Sequence, residues 1–125
     1  MNDTLAYDIF VYGTLRKAGD YHRHYLRYSE CIHNHYRLAG YALYDYARLY
    51  PFMVPEAEAT VVGEVYRINE TTKAALDEFE DVADRLYEFV YLPEHQFYTY
   101  LKVGANVDNM PRVPHGDWLT YCSVR

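Results

Sequence analysis

The alternation of apolar and polar residues along the chain predicts mainly short β-strands. Residues 61–68, VVGEVYRI, have the strongest strand pattern, and residues 96–103 alternate cleanly between two faces. Apolar β-rich runs of this length, bounded by turn residues, are typical of strands. The predicted strands cover residues 8–12, 32–37, 38–44, 61–68, 86–92 and 96–103.

Two segments have helical patterns. Residues 21–30 are rich in Arg, His and Tyr and form a short predicted helix. Asn69 can cap a second helix over residues 70–81, because an Asn side chain at that position accepts a hydrogen bond from the first helical turn. In the second helix Leu76 belongs to the apolar stripe that faces the core.

The segment that follows the third predicted strand is expected to be a loop. It covers residues 45–58 and contains Pro51 and Pro55, which predict a loop that wraps over the rest of the domain. Because only one helix follows each of two strands, the elements do not form a regular βαβ series. The pattern favours an α+β fold of about six strands, with a strongly curved or closed sheet, in a single domain of residues 1–125.

Composition narrows the class of protein. The chain has 125 residues, which is the size of one ordinary domain and is enough to fold without a disulfide or a metal. Its formal net charge is −6, with 12 basic and 18 acidic residues. Nucleic-acid binding needs clustered Lys and Arg, so this balance argues against nucleic acid as the main partner.

Neither a membrane segment nor an export signal is visible. The apolar runs are only a few residues long, and the first residues lack the basic region of a secretory signal. Cys31 and Cys122 are not in metal-ligand spacing, so we expect free thiols in a reducing compartment. These features predict a cytoplasmic protein without a membrane partner.

The first candidate site is the end of the first strand and the loop after it. Gly13 directly follows an apolar strand, where a glycine allows a ligand to approach the backbone closely. Successive free N–H groups in such a turn can hold a carboxylate or an oxyanion. A tight turn with no ligand is the alternative. The segment is not a phosphate-binding loop, because it lacks both glycine-rich signatures of that class.

The second candidate is Glu80, at the acidic end of the second predicted helix. It lies four residues after Leu76 and therefore on the same face, at the boundary of the core. Apolar and aromatic surroundings disfavour the ionised carboxylate and raise its pKa, which suits a general base near neutral pH. The alternative is an ordinary surface charge.

Glu64 is the third candidate. It shares a strand face with Val62, Tyr66 and Ile68, and if that face is interior the carboxylate must be paired or protonated. Such a Glu64 would act as a second acid–base residue or would organise the site by accepting hydrogen bonds. If the opposite face is interior, Glu64 is merely exposed.

The histidines and tyrosines give weaker evidence for a functional site. His33 and His35 would share a strand face as a ligand pair, but no cysteine or carboxylate completes a metal site, so we predict surface histidines and no bound metal. Most of the 16 tyrosines are expected to stabilise the sheet through cross-strand pairs. Tyr12 and Tyr87 are the two that we place near a site.

Several of these segments, taken in order, resemble the gamma-glutamylcyclotransferase-like proteins, and particularly the small gamma-glutamylamine cyclotransferases and their bacterial relatives. Each motif alone is modest, but the ordered set is specific and spans most of the chain. The matching segments are residues 10–16 (FVYGTLR), 49–55 (LYPFMVP), 62–68 (VGEVYRI), 76–80 (LDEFE) and 116–118 (GDW).

The resemblance implies a fold and a reaction. The fold is a small mixed β-barrel with flanking helices. In the reaction, the α-amine of a γ-glutamyl group attacks its own γ-carbonyl, which yields 5-oxoproline and a released amine or amino acid without any cofactor. By similarity, Glu80 is the general base, and a loop cradles the glutamyl head. The substrate-binding residues are then Tyr12, Gly13, Thr14, Leu15 and Tyr87.

Two features depart from the family pattern. The segment 81–85 lacks the glycine or proline that the pattern leads us to expect after Glu80, and an arginine is missing after Tyr87. Members of the family often carry Tyr-x-Arg after the catalytic helix, whereas here Tyr87 is followed by Glu88 and Phe89. Arg85 is a candidate replacement for the missing arginine.

The competing interpretation is a non-catalytic protein that binds a small acidic metabolite in the same pocket. The environment of Glu80 distinguishes the two, since an enzyme needs this carboxylate beside the loop of residues 13–15 and facing a pocket. A binding protein would leave it salt-bridged or exposed. A metal-dependent hydrolase that uses the histidines is a third, less favoured interpretation.

Overall fold

The structure is a computed structural model that describes residues 6–124. Five strands and three α-helices follow one another along this part of the chain. In chain order they are β1 (Ala6–Val11), α1 (His22–Tyr25), β2 (Glu30–Tyr46), β3 (Tyr50–Asn69), α2 (Glu70–Phe79), β4 (Tyr87–Leu92), β5 (Phe97–Lys102) and α3 (Trp118–Val124), with a 3₁₀ turn at Pro114–Gly116 before the last helix.

The strands form one mixed sheet in the order β2-β3-β1-β5-β4. The first strand lies at the centre, antiparallel to β3 with Val11 opposite Glu64, and parallel to β5 with Phe10 opposite Thr99. The β4–β5 pair is antiparallel and places Tyr87 opposite Lys102. The C-terminal end of β1 is therefore flanked by strands from both halves of the chain.

The α+β class is confirmed, but the predicted barrel of about six strands is wrong. The sheet has five strands and does not close, because β2 and β4 are its two edges and do not pair with each other in residues 6–124. The two strands predicted over residues 32–37 and 38–44 are one continuous strand, β2. Its pairing with β3 shifts register between Ala39 and Tyr41, so the chain bends at a bulge instead of ending a strand.

The loop predicted over residues 45–58 is also wrong. Residues 50–58 form the first part of β3 and pair with the end of β2 in a long hairpin, with Asp45 opposite Pro51 and Tyr41 opposite Pro55. This part of β3 pairs with β2 alone, whereas β1 pairs only from Glu64 onwards. Proline lacks a backbone N–H, and a strand with a partner on only one side tolerates it.

The prediction of the second helix is confirmed, whereas that of the first is confirmed only in part. The second helix begins after Asn69, whose side chain accepts a hydrogen bond from the Thr72 amide at 2.9 Å, as predicted. The helix predicted over residues 21–30 is reduced to a single turn, His22–Tyr25. Residues Trp118–Val124 form a further helix, which the sequence pattern did not predict.

Side chains are buried on both faces of the sheet. Phe10, Val61 and Val65 belong to one apolar cluster, and Ile9, Tyr66 and Leu76 belong to a second cluster on the opposite face. Because both faces are buried, the strand face that carries Glu64 is interior, and Glu64 is only 4% exposed. No helix in residues 6–124 is long and apolar enough to cross a membrane.

Gly63 lies where the first and third strands pack too closely for any side chain. A Cβ atom at this position would lie 2.2 Å from the Val11 carbonyl oxygen, which is fixed in the sheet. We therefore expect Gly63→Ala to lower the free energy of unfolding by up to about 3 kcal/mol, the upper end of overpacking costs, measured by urea denaturation. The exposed Ala39→Ser is the control, and an equal effect of the two substitutions would contradict this account.

Candidate active site

The sequence-predicted site residues meet around one cavity of about 270 Å³. Its volume lies near the lower end of ligand pockets, about 300–1,000 Å³, which suits a small ligand. The end of β1 with its loop, the end of α2 and the start of β4 each contribute part of the wall. The six residues to which the family resemblance assigned a role all line this cavity: Tyr12, Gly13, Thr14, Leu15, Glu80 and Tyr87.

Glu80 caps the C-terminus of α2 and faces the cavity. Its amide donates to the Leu76 carbonyl at 2.8 Å, which places it above the buried Leu76 as the helical spacing predicted. The side chain is part-buried, and within residues 6–124 its carboxylate has neither an ion pair nor a hydrogen bond. Burial, with a smaller contribution from the neighbouring Asp81, raises the pKa of Glu80 to about 7.

The turn after Glu80 is a Schellman motif, which fixes the direction in which the helix ends. The Val82 amide donates to the Asp77 carbonyl at 3.0 Å, and the Asp81 amide donates to the Glu78 carbonyl at 3.1 Å. Asp81 has a φ of 55° at the position where such motifs usually place glycine. The structure thus keeps the tight turn although the sequence has neither glycine nor proline there, and it adds a negative charge beside Glu80.

Four tyrosines that line the cavity are influenced by the charge of Glu80: Tyr12, Tyr50, Tyr87 and Tyr100. In each case burial and the charge of Glu80 raise the pKa of the phenol. Two hydroxyls are bound within the protein, since Tyr12 donates to the Tyr100 carbonyl at 2.6 Å and Tyr100 donates to Asp77 at 2.7 Å. The hydroxyls of Tyr50 and Tyr87 have no partner in residues 6–124 and remain available to a ligand.

The loop after β1 turns its carbonyl groups inward and leaves two amides unused. The Gly13 carbonyl accepts from the Arg16 amide at 3.0 Å, and the Thr14 carbonyl accepts from the Tyr21 amide at 2.9 Å. In a planar trans peptide the N–H group points away from the carbonyl oxygen of the preceding residue, so the Thr14 and Leu15 N–H groups point away from these hydrogen bonds. Within the described chain the amides of Thr14 and Leu15 donate to no protein acceptor, which makes them candidate donors to an anion.

Gly13 also brings this loop against the β2–β3 hairpin. A Cβ atom at position 13 would lie 2.8 Å from the Pro51 Cδ atom, and both residues line the cavity. The close approach therefore requires glycine. Sequence reasoning missed Tyr50 and Pro51 as wall residues because it treated their segment as a loop, although the segment belonged to the family resemblance.

A buried ion pair between Arg16 and Glu64 fixes the position of the loop after β1. Arg16 is 8% exposed, and its Nε donates to Glu64 Oε2 at 2.7 Å, while its Nη1 donates to Asp117 at 3.0 Å. Glu64 also accepts from the Lys17 amide at 2.8 Å and from the Tyr66 hydroxyl at 3.0 Å. Of the roles considered for Glu64, the geometry fits the organising one, since its carboxylate is fully engaged and does not line the cavity.

The candidate replacement arginine and the candidate metal ligands do not contribute to this cavity. Arg85 is exposed and does not line the cavity, so it does not replace the arginine of the family pattern. Phe89, at the position of that arginine, stacks on Tyr98 with ring centres 4.5 Å apart. Across residues 6–124 no three His, Cys, Asp or Glu side chains are grouped as metal ligands.

Comparison with known proteins identifies similar sequences. A family model described as Gamma-glutamyl cyclotransferase, AIG2-like matches residues 9–120. The Gamma-glutamylcyclotransferase family protein YtfP of Escherichia coli K12 is 34% identical over 113 residues, which cover 89% of this chain and 95% of that protein. A Vibrio cholerae protein named "Putative gamma-glutamylcyclotransferase" is 45% identical over 74 residues, or 59% of this chain. That match spans 62% of the Vibrio protein, which is less than two thirds of its length.

Solved structures show the same architecture. The solution structure of E. coli ytfP has a TM-score of 0.69 and 30% identity, and the match covers 90% of this chain and 96% of that one. The crystal structure of a mouse AIG2-like protein has a TM-score of 0.68 at 21% identity and covers 90% and 94% of the two chains. The mouse structure supports the fold alone.

The buried ion pair behind the loop should be essential for stability. Arg16→Met leaves the Glu64 carboxylate buried without its cation, so we expect the free energy of unfolding to fall by about 3–5 kcal/mol in urea denaturation. Arg67→Met breaks an exposed ion pair with Asp8 and serves as the control, with an expected cost of at most about 1 kcal/mol. Similar losses for the two variants would contradict the role of Arg16.

The raised pKa of Glu80 should also appear in the pH dependence of stability. The folded protein holds a proton on Glu80 up to about pH 7, whereas the unfolded chain loses it near pH 4.3, so stability falls as the pH rises through this range. We expect Glu80→Gln to remove this loss and to stabilise the protein at pH 8 by about 1–2 kcal/mol, allowing for solvent around the carboxylate.

Thermal unfolding at pH 5 and pH 8 measures this effect. Glu78→Gln is the matched control, because Glu78 is exposed on the same helix two residues earlier. If the gain of the Glu80 variant is as large at pH 5 as at pH 8, the carboxylate does not titrate near neutral pH.

Proposed function

The chain belongs to the Gamma-glutamyl cyclotransferase, AIG2-like family, a family of cyclotransferase-type enzymes, and on that basis we propose that it cyclises the γ-glutamyl group of a small molecule. The products are 5-oxoproline and a released amine or amino acid. Glu80 is the general base, and no cofactor takes part. The predicted cytoplasmic location belongs to the same proposal.

The observation that carries this proposal is the state of Glu80. Its carboxylate lies in a cavity of small-molecule size that the loop after β1 also lines, and in residues 6–124 no cation neutralises it. Its pKa of about 7 lets it take up and release a proton near neutral pH. A binding protein of the kind considered above would leave this carboxylate salt-bridged or exposed, and neither is the case.

The reaction needs bonds to form and break at a single carbon. The α-amine nitrogen attacks the γ-carbonyl carbon, a C–N bond forms, and the bond from that carbon to the leaving nitrogen breaks. The substrate begins with an α-ammonium, the lactam nitrogen keeps one hydrogen, and the leaving nitrogen ends as an ammonium. Two protons therefore move from one nitrogen to the other, and Glu80 carries one at a time, as base and then as acid.

The loop and the tyrosines supply the remaining requirements. Because the reaction is intramolecular, holding the glutamyl chain folded back on itself contributes much of the rate through orientation. The Thr14 and Leu15 amides are fixed by the inward hydrogen bonds of the loop, so they can hold the α-carboxylate or the developing oxyanion without reorganising. Tyr12 forms an apolar wall, and the Tyr87 hydroxyl is available to the substrate.

The direct test is 5-oxoproline release from a panel of γ-glutamyl amines and γ-glutamyl amino acids. We expect the wild type to turn over at least one of them, and Glu80→Gln to lower kcat by about 10²–10⁴-fold, the usual contribution of a general base. The value of kcat/KM should rise with pH through about 7, because only the ionised Glu80 accepts the proton.

Glu78→Gln is again the control and should keep its activity. Full activity of the Glu80 variant would exclude it as the base. The absence of 5-oxoproline from every substrate would favour a binding protein.

A further inference from the structure

One charged side chain in the cavity has no task in the proposed reaction. Among the described residues that line the cavity, Lys102 is the only lysine or arginine. It lies at the end of β5, directly opposite Tyr87 of β4. It shares a strand face with Tyr100, which lines the same cavity.

Lys102 is not committed to a carboxylate of the protein. Its Nζ donates to the carbonyl oxygen of the adjacent Val103 at 3.1 Å, and it lies 5.8 Å from the centre of the Phe52 ring. Within residues 6–124 it forms no ion pair. The side chain is half-buried, so its charge has lost part of its water and gains from a carboxylate brought by a ligand.

The lysine and the base are carried by different elements of the cavity wall, β5 and the end of α2. Phe52 belongs to the β2–β3 hairpin, where it stacks on Tyr46 with ring centres 5.1 Å apart, so the ammonium lies on the hairpin side. Glu80 lies at the end of α2, where burial and the charge of Asp81 raise its pKa to about 7. A substrate in this cavity can therefore meet the base and the cation with different groups.

The charged side chains that line the cavity affect which leaving group can bind there. An amino acid released from a γ-glutamyl amide carries its carboxylate on the carbon bonded to the leaving nitrogen, so this charge enters the cavity together with the reacting bond. Glu80 and Asp81 both line the cavity and repel it. The amides of Thr14 and Leu15 have one anionic group of the glutamyl head to hold, so the second carboxylate needs a cation.

We propose that the Lys102 ammonium binds the carboxylate of an amino-acid leaving group, so that the protein prefers γ-glutamyl amino acids to γ-glutamyl amines. This inference rests on the proposed function. It makes Lys102 the residue that determines specificity at the leaving-group end of the cavity.

Two substrates of the same shape test the proposal. γ-Glutamyl-alanine and γ-glutamyl-alaninamide differ only in a carboxylate against a carboxamide. We expect kcat/KM to be about tenfold or more higher for γ-glutamyl-alanine, the order of a hydrogen bond between charged groups. Lys102→Met should abolish this preference by slowing the alanine substrate alone, and Lys102→Arg should keep it.

Arg37→Met is the matched control, because Arg37 is exposed on β2 and removing it changes the net charge without touching the cavity. The preference should survive this change. If Lys102→Met slows both substrates equally, the lysine binds the glutamyl head and the proposal is wrong.

The failure of this inference can be told from the failure of the proposed function. Turnover of both substrates by the wild type at equal rates overturns the assignment of Lys102 and leaves the cyclotransferase reaction intact. No 5-oxoproline from either substrate or from the wider panel overturns the proposed function, and the Lys102 assignment falls with it.

Discussion

The ion pair between Arg16 and Glu64 is the interaction on which the rest of the site depends. It joins the loop after β1 to the central part of β3, and through Asp117 it also joins the start of the last helix. The carboxylate of Glu64 accepts in addition from the Lys17 amide, so it fixes backbone as well as side chain. Three of the segments that resembled the family are thus in direct contact through one guanidinium group.

Two glutamates near this loop show how surroundings decide what a carboxylate does. Glu64 and Glu80 both lose solvent in the folded chain, but Glu64 receives a guanidinium, an amide and a hydroxyl as donors. Glu80 receives no donor from residues 6–124 and keeps a raised pKa. The two carboxylates therefore differ in how many hydrogen-bond donors they receive from residues 6–124, three for Glu64 and none for Glu80.

The sequence predicted the local elements better than the way they assemble. Strand periodicity placed β4 and β5, and helical spacing placed Glu80 above Leu76, because these patterns depend on near neighbours. The β2–β3 hairpin was missed because Pro51 and Pro55 predict loops unless the strand has one free side, and that depends on the strand order of the whole sheet. The open sheet was missed for the same reason, since closure depends on which strands form the edges. The sequence pattern itself indicated the loop at Gly13, Glu80, Tyr12 and Tyr87, and the family resemblance then gave them roles. Tyr50, Pro51 and Lys102 were identified as wall residues only from the fold.

The central position of β1 has a consequence for how the protein forms. The Tyr12 hydroxyl and its acceptor on Tyr100 are 88 residues apart in sequence, and Arg16 and Asp117 are 101 apart. Such long-range contacts must wait until most of the chain can meet, which slows folding compared with a protein built from neighbouring elements. During synthesis on the ribosome, β1 emerges first but stays without its β3 and β5 partners until they have followed it out. The cavity therefore cannot form before β5 has emerged and paired with β1, however early the loop after β1 was made.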